Sequence, residues 1–414
     1  MERDEKNATG KSSPYLPTPS SVQKEKLSKS AITIGLVSLF ADISTEMIYP
    51  LLPIYLTRVL AAPKAAVGII EGIAVGTASI VTAFSGWISD RLRRRREVAF
   101  CGYALTALSR PLIALASAWP LVLVARFADR FGKGIRSAPK DALIADTTSE
   151  KSRGRAYGFE RAMDNTGAVV GPMTGLALLW WLGAERMTTI FLISTIPAGV
   201  ASILILTLRE KRDEHKASKR SIKFSLAGVT REYRALLVVT AVFGLANSAN
   251  AFLILRAENL GLATEWTIVA YALYNAVAAL ASMPAGAASD RFGRRNLLII
   301  GYGIYAISYL GFGLATEAWM AWPLFVVYGL FPAMTDGVAK AMAVDTAGSA
   351  GRATAIGIYS MVAGVAQIAA SYAGGALWDR IDARATFFFG AALAALAVVL
   401  LFLLLPSRAA GKRV

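Results

Sequence analysis

The sequence predicts an all-α membrane protein of twelve transmembrane helices in two pseudo-symmetric six-helix bundles. Three observations predict it. The 414 residues are 55% hydrophobic and 17% charged, a low charge fraction for a soluble protein. The apolar residues fall into twelve runs long enough to cross a hydrocarbon core of about 30 Å. A charged turn, Gly86-Trp87-Ile88-Ser89-Asp90-Arg91-Leu92-Arg93-Arg94-Arg95-Arg96, separates the second run from the third. It returns as Gly286-Ala287-Ala288-Ser289-Asp290-Arg291-Phe292-Gly293-Arg294-Arg295 between the eighth and ninth.

The spans read as 30–57, 65–89, 97–117, 119–146, 154–181 and 187–208, then 234–257, 264–289, 296–315, 319–345, 353–378 and 384–406. Residues 1–29 are polar, rich in Ser, Pro and Lys, and read as a disordered cytoplasmic tail. Residues 30–208 form the N-terminal bundle and 234–406 the C-terminal bundle. Between them, 209–233 is a charged cytoplasmic linker, and 407–414 is a second cytoplasmic tail. Pro50 and Pro53 interrupt the first span and Pro139 lies in the fourth. Proline removes a backbone donor and bends a helix.

Orientation follows from Lys and Arg. With the N-terminus inside, the tails, the linker and the even-to-odd loops hold about 30 of the 44 basic residues, the pattern of cytoplasmic loops. Both termini are then cytoplasmic, in a multi-pass protein of the plasma (inner) membrane. The formal charge of +16 reflects loops beside anionic lipid, not nucleic-acid binding, because the basic residues lie between spans. A single cysteine, Cys101, and a single histidine, His215, exclude a disulfide framework or a Cys/His metal cluster. Gly10-Lys11-Ser12 lacks the upstream glycine of a phosphate-binding loop. With no nucleophile–base pair, metal set or cofactor loop, an enzyme is not expected.

The turn Gly86-x-x-x-Asp90-Arg91, with its second copy Gly286-x-x-x-Asp290-Arg291, resembles the loop signature of the major facilitator superfamily. Arg93 departs from that pattern where the family has glycine; Gly293 keeps it. The resemblance covers 30–406 and implies a cytoplasmic latch between the halves. Glycine admits a neighbouring helix, and the aspartate pairs with helix N-termini and arginine. The bland alternative is a basic loop needed only for insertion. On the fifth span, Gly167-x-x-x-Gly171-Pro172-x-x-Gly175 is similar to the antiporter signature of the 12-helix drug:proton branch, or else serves ordinary close packing.

The fourth span carries Arg126, Asp129, Arg130, Lys133, Arg136, Lys140 and Asp141. At about 100° per residue they share less than half the helix surface. Each would cost about 2.5–3.5 kcal/mol in lipid, so that face meets protein or water. Arg130-x-x-x-Gly134 resembles the superfamily's fourth-helix motif, whose arginine is implicated in proton coupling. Asp42 and Glu46, four apart, share a face of the first span.

Asp42, Glu46, Glu71 and Asp129 are therefore proton-coupling candidates, with Arg126 and Arg130 as modulators of Asp42 and Glu46. Candidate cavity residues are Arg126, Arg130, Lys133, Arg136, Arg110, Asp164, Asn247, Asn250, Asp336 and Lys340. The alternative is that the charges form neutralised pairs that only hold the bundle together. The resemblance implies secondary active transport, with proton-coupled efflux of small organic molecules as the leading expectation. The energy source is then the proton gradient, with no cofactor and no metal. One charge crossing 100 mV releases about 2.3 kcal/mol, enough for a gradient of several tens-fold. The expected partners are a small-molecule substrate, protons and membrane lipid, with the protein a monomer. A proton-coupled carrier of an organic anion is the runner-up. A non-transporting sensor is disfavoured, since the linker and tails offer no output domain.

Overall fold

The computed structural model describes residues 27–92, 94–149, 152–208, 229–348 and 352–405, without the side chains of 83, 86–92 and 352–353. The tail over 1–26, most of the linker with His215, and the tail over 407–414 lie outside the described residues. The described residues contain helices and no strands. In chain order the helices are α1 (Lys29–Val59), α2 (Lys64–Leu92), α3 (Arg95–Ala114), α4 (Trp119–Thr147), α5 (Arg153–Leu182) and α6 (Ala184–Leu206). There follow α7 (Arg231–Asn259), α8 (Thr264–Phe292), α9 (Arg294–Leu314), α10 (Ala318–Thr346), α11 (Arg352–Arg380) and α12 (Ala383–Leu404).

Nine of these are long and apolar enough to cross a membrane by composition alone. The three that are not, α3, α4 and α5, carry the charged residues of the first half. Their polar faces must be covered by protein or water. The packing repeats six helices on. α1 packs on α5 and α6 as α7 packs on α11 and α12. α2 packs on α4 as α8 does on α10, and α3 on α6 as α9 on α12. Between the first six helices and the last six, α2 lies along α11 and α5 along α8. Trp180, Trp181, Trp266 and Trp319 are all exposed at the end away from the charged turns, where amphipathic rings meet a membrane–water boundary.

Two helices are interrupted. In α1 a turn at Tyr49-Pro50 precedes a short helix, Leu51–Ile54, and a π-helical turn, Tyr55–Val59. This follows from Pro50 and Pro53. In α7 the helix stops at Ala246 and restarts at Ala251, with no proline or glycine between. Its freed groups are taken up by neighbours. The Tyr305 hydroxyl donates to the Ala246 carbonyl at 2.8 Å, and Ala249 N–H donates to Ser371 Oγ at 3.1 Å. Broken backbone at membrane depth is tolerated only where protein satisfies it in this way. By contrast α4 runs through Pro139 without interruption.

Gly293 ends α8 with φ of 88°, a conformation that favours glycine. Only the second of the two charged turns has glycine at that place.

Candidate functional site

Four helices meet at a buried ionic network. Arg126 of α4 is fully buried and grips Glu71 of α2, with its Nη2 2.7 and 2.8 Å from the two carboxylate oxygens and its Nε 3.0 Å from one of them. Its Nη1 donates to Asp129 at 3.1 Å. Asp129 also accepts from Arg110 of α3 at 3.2 Å and lies 3.7 Å from Arg130 Nε. Arg110 reaches on to α1, donating to Ser44 Oγ at 3.1 Å and Thr45 Oγ1 at 2.9 Å. Charge-assisted, bidentate bonds of this kind fix geometry strongly. Glu71 and Asp129 are thus locked by arginines. Arg126 and Arg110, expected to line a cavity, are instead enclosed by helices.

Toward the charged-turn end, Glu160 of α5 accepts from Ser38 of α1 at 2.6 Å and pairs closely with Lys140 of α4. Arg136 sits over the Tyr103 ring at 4.3 Å and is also buried. Asp141 is exposed.

Asp42 and Glu46 behave differently. Both are half-buried on the α1 face that meets α5, and among the described residues neither makes an ion pair within 4.0 Å. The glycine stripe of α5 is what lets α1 come so close. A Cβ on Gly167 would lie 2.8 Å from Asp42 Cβ, and one on Gly171 would lie 2.8 Å from Glu46 Cβ. One on Gly175 would lie 2.4 Å from the Met47 carbonyl oxygen. Pro172 is inside α5 and buried. Asp164 stands on α5 one turn before Gly167, the glycine that meets Asp42, so the two carboxyl groups are neighbours across the α1–α5 contact. Neighbouring carboxyl groups disfavour double ionisation, so such a pair holds a proton more readily than an isolated carboxyl. Asp164 is also 3.2 Å from Arg161. Lys133 stands on the α4 arc with Arg126 and Arg130 and is half-buried.

Glu46 also bridges the halves. Tyr271 of α8 donates to Glu46 Oε2 at 2.9 Å and stacks on Tyr49 with ring centroids 5.4 Å apart. Behind Tyr271 lies a tyrosine cluster that embraces the break in α7. Asn250 donates to the Tyr274 hydroxyl at 3.2 Å and accepts from Tyr328 at 2.8 Å. Asn247 is half-buried at the same break.

From this centre a cavity of 540 Å³ runs between α5, α8 and α10 to the charged-turn end. Its walls include Arg161, Asn165, Tyr274, Asn275 and Asp336, and its mouth Ser289, Asp290 and Arg294. Two arginines and two aspartates thus stand in its lining. Lys340, one turn beyond Asp336, is exposed. Gly286 and Asp290 border this mouth, and Arg291 follows Asp290 in the last turn of α8. Among the described residues, nothing lies within 4 Å of the would-be Cβ of Gly286. The reason is that the two halves are parted there. Gly86, Asp90 and Arg91 lie on helical backbone, but their side chains are outside the description.

The opposite end is shut by contacts that sequence reasoning missed. Arg58 of α1 pairs with Glu258 of α7 at 3.1 Å. Asp379 of α11 accepts from the N–H groups of Lys64 and Ala65, at 3.0 and 2.8 Å, capping the start of α2 across the halves. The α2 and α11 backbones touch there, since a Cβ on Gly68 would lie 2.0 Å from the Ser371 carbonyl oxygen. No local pattern in one sequence pairs residues more than 300 positions apart. Asp379→Ala should cost about 0.5–2 kcal/mol, the worth of a lost helix cap. The check is faster labelling of a cysteine introduced at buried Ala66, beside the capped residues, in the variant than in its parent.

The glycine stripe makes a further prediction. Gly171→Val places carbon 2.8 Å from Glu46 Cβ and 3.0 Å from the Ile43 carbonyl oxygen. Overpacking of this kind costs about 1–3 kcal/mol. A lowered melting temperature in detergent checks it.

One end is closed, the other is open to a central polar cavity, and twelve helices surround both. That arrangement defines a multi-pass membrane transporter. Residues 34–262 and 235–414 match the Major Facilitator Superfamily, and the chain belongs to that family. It is 31% identical to an uncharacterised MFS-type transporter of Methanocaldococcus jannaschii, over 91% of this chain and 95% of that one. It is 25% identical to Multidrug resistance protein 1 of Bacillus subtilis, over 89% and 95%. Among solved structures, a variant of the nucleoside transporter NupG aligns with a TM-score of 0.79 at 11% identity, covering 91% of this chain and all of that one. At that identity the likeness speaks for the fold.

Proposed function

We propose that this secondary transporter exports small organic molecules across the plasma membrane in exchange for protons, with both termini in the cytoplasm. In that orientation the cavity faces the cytoplasm and the Arg58–Glu258 and Asp379 contacts close the outer side. The observation that carries the reading is the seat of α1. Asp42 neighbours Asp164 across the α1–α5 contact, and Glu46 holds Tyr271 of the other half. Taking up or releasing a proton at these carboxyls changes the contacts that join α1 to α5 and α8, so protonation and the relative position of the halves are linked. The likeness to a multidrug resistance protein supports export of organic molecules. Glu71 and Asp129, already neutralised by arginine, serve to hold the first four helices in place.

The test uses inside-out membrane vesicles energised with a proton gradient. A panel that includes a fluorescent lipophilic cation and an aromatic carboxylate is screened for accumulation and for gradient dissipation. Export by proton exchange predicts accumulation of at least one compound, collapsing with an uncoupler. Accumulation that persists with the gradient abolished overturns the reading.

A further inference from the structure

A second cavity, of 430 Å³, opens at the outer end of the last six helices, between the ends of α7, α9 and α11 and the start of α12. It is separate from the central cavity and shares no lining residue with it. Its floor is Arg256, which is 4% exposed. The guanidinium donates to the Phe312 carbonyl at 3.0 Å, the Ala315 carbonyl at 2.8 Å and Asn259 Oδ1 at 2.5 Å. Those are neutral acceptors. Carbonyls at the end of a helix such as α9 offer only about half a negative charge. Among the described residues no carboxylate lies within ion-pair distance of Arg256 or of Arg384, which stands in the first turn of α12 and also lines the cavity.

A nearly buried cation without a counter-charge is costly. The cavity's one carboxylate, Asp382, makes no ion pair with either arginine within 4.0 Å, and one of its oxygens accepts from Ala385 N–H as the cap of α12, so a single charge stands against two. Two arginines against one aspartate leave the pocket positive. The remaining polar walls can donate: the Asn259 amide, the Thr316 hydroxyl and the Trp378 indole N–H. Trp378 places the site at the level where tryptophans meet lipid headgroups. Guanidinium pairs with neighbouring N–H and O–H donors suit tetrahedral oxyanions.

The geometry points to a binding site for a phosphate group, held by Arg256 and Arg384 at the outer end of α7 and α12. Two sources carry that chemistry, a phospholipid headgroup and free phosphate. The site lies outside the transport path, so it stands whether or not export is proton-coupled.

The experiment measures thermal unfolding of the full-length protein in neutral detergent, with phosphatidylglycerol, phosphatidylcholine, inorganic phosphate or matched sodium chloride added. A phosphate-class ligand should raise the melting temperature by at least about 2 °C over the chloride control. Arg384→Gln should abolish that rise, Arg384→Lys should keep part of it, and Arg380→Gln, outside the cavity, should keep all of it. Arg384 is exposed, so its variants are expected to fold, and their melting without ligand checks this. A rise with phosphatidylglycerol alone assigns a lipid. A rise with inorganic phosphate assigns a free anion. No rise with either, or an equal rise in Arg384→Gln, overturns the proposal.

Discussion

Asp42→Asn and Glu46→Gln are each expected to abolish uphill export while leaving the protein folded. Both substitutions keep side-chain size, so α1 still fits against Gly167 and Gly171 of α5. What is lost is the proton. Asparagine at position 42 still neighbours Asp164 but has no proton to release. Glutamine at position 46 can still meet Tyr271 but no longer changes charge. With about 2.3 kcal/mol available per charge per 100 mV, the substrate gradient should fall from several tens-fold to none. Binding of the transported compound should change little, because the cavity walls at Asn165, Tyr274, Asn275 and Asp336 are untouched. Transport into energised vesicles, set beside ligand-dependent thermal stabilisation, separates the two. Undiminished accumulation by both variants counts against the assignment.

The largest effect on stability is expected at Arg126. Arg126→Gln strands Glu71 and removes one of the arginines around Asp129, inside a network that is almost wholly shielded. Breaking a buried pair by removing one partner costs about 3–5 kcal/mol. The melting temperature should then fall by about 4–6 °C. The double variant Arg126→Met with Glu71→Met is expected to recover most of that loss, since replacing both members of a buried pair by apolar groups is often near neutral. A single variant as stable as the parent would show that the network is not a structural tie.

The double variant also divides the charged residues by role. If Glu71 only holds helices, transport should survive in the stabilised pair, whereas it should not survive Asp42→Asn. The four carboxylates that sequence placed in one class fall into two on this view. Glu71 and Asp129 are each met by arginine at 3.2 Å or less. Asp42 and Glu46 neighbour a carboxyl group and a phenol instead.

The helices were legible because burial in lipid demands long apolar runs, and each observed helix lies within a few residues of its expected span. The charged arc of α4 was legible for the same reason. Its partners were not, since helical spacing places a charge on a face but does not say which neighbour meets it. Thus the sequence places Arg126 on the charged face of α4, but only the fold shows that its direct partners are Glu71 and Asp129. The α5 glycines were read as a smooth face, but only the fold shows that Asp42 and Glu46 rest on them. The break in α7 carries no proline or glycine signal; it is held by Tyr305 and Ser371 from other helices. The outer closure at Asp379 and Glu258 joins residues with no local pattern between them.

The account stands on one link, that proton occupancy at Asp42 and Glu46 sets how far the cytoplasmic ends of the halves part. The direct measurement is the distance between spin labels at Tyr157→Cys on α5 and Phe292→Cys on α8, in a Cys101→Ser background, as a function of pH in nanodiscs. Both labelled positions are exposed at the open end. The account predicts a distance distribution that shifts between a shorter and a longer population as pH changes, and that becomes independent of pH in the Asp42→Asn, Glu46→Gln double variant. A distribution that shifts equally in the double variant, or that does not respond to pH in the parent, contradicts it.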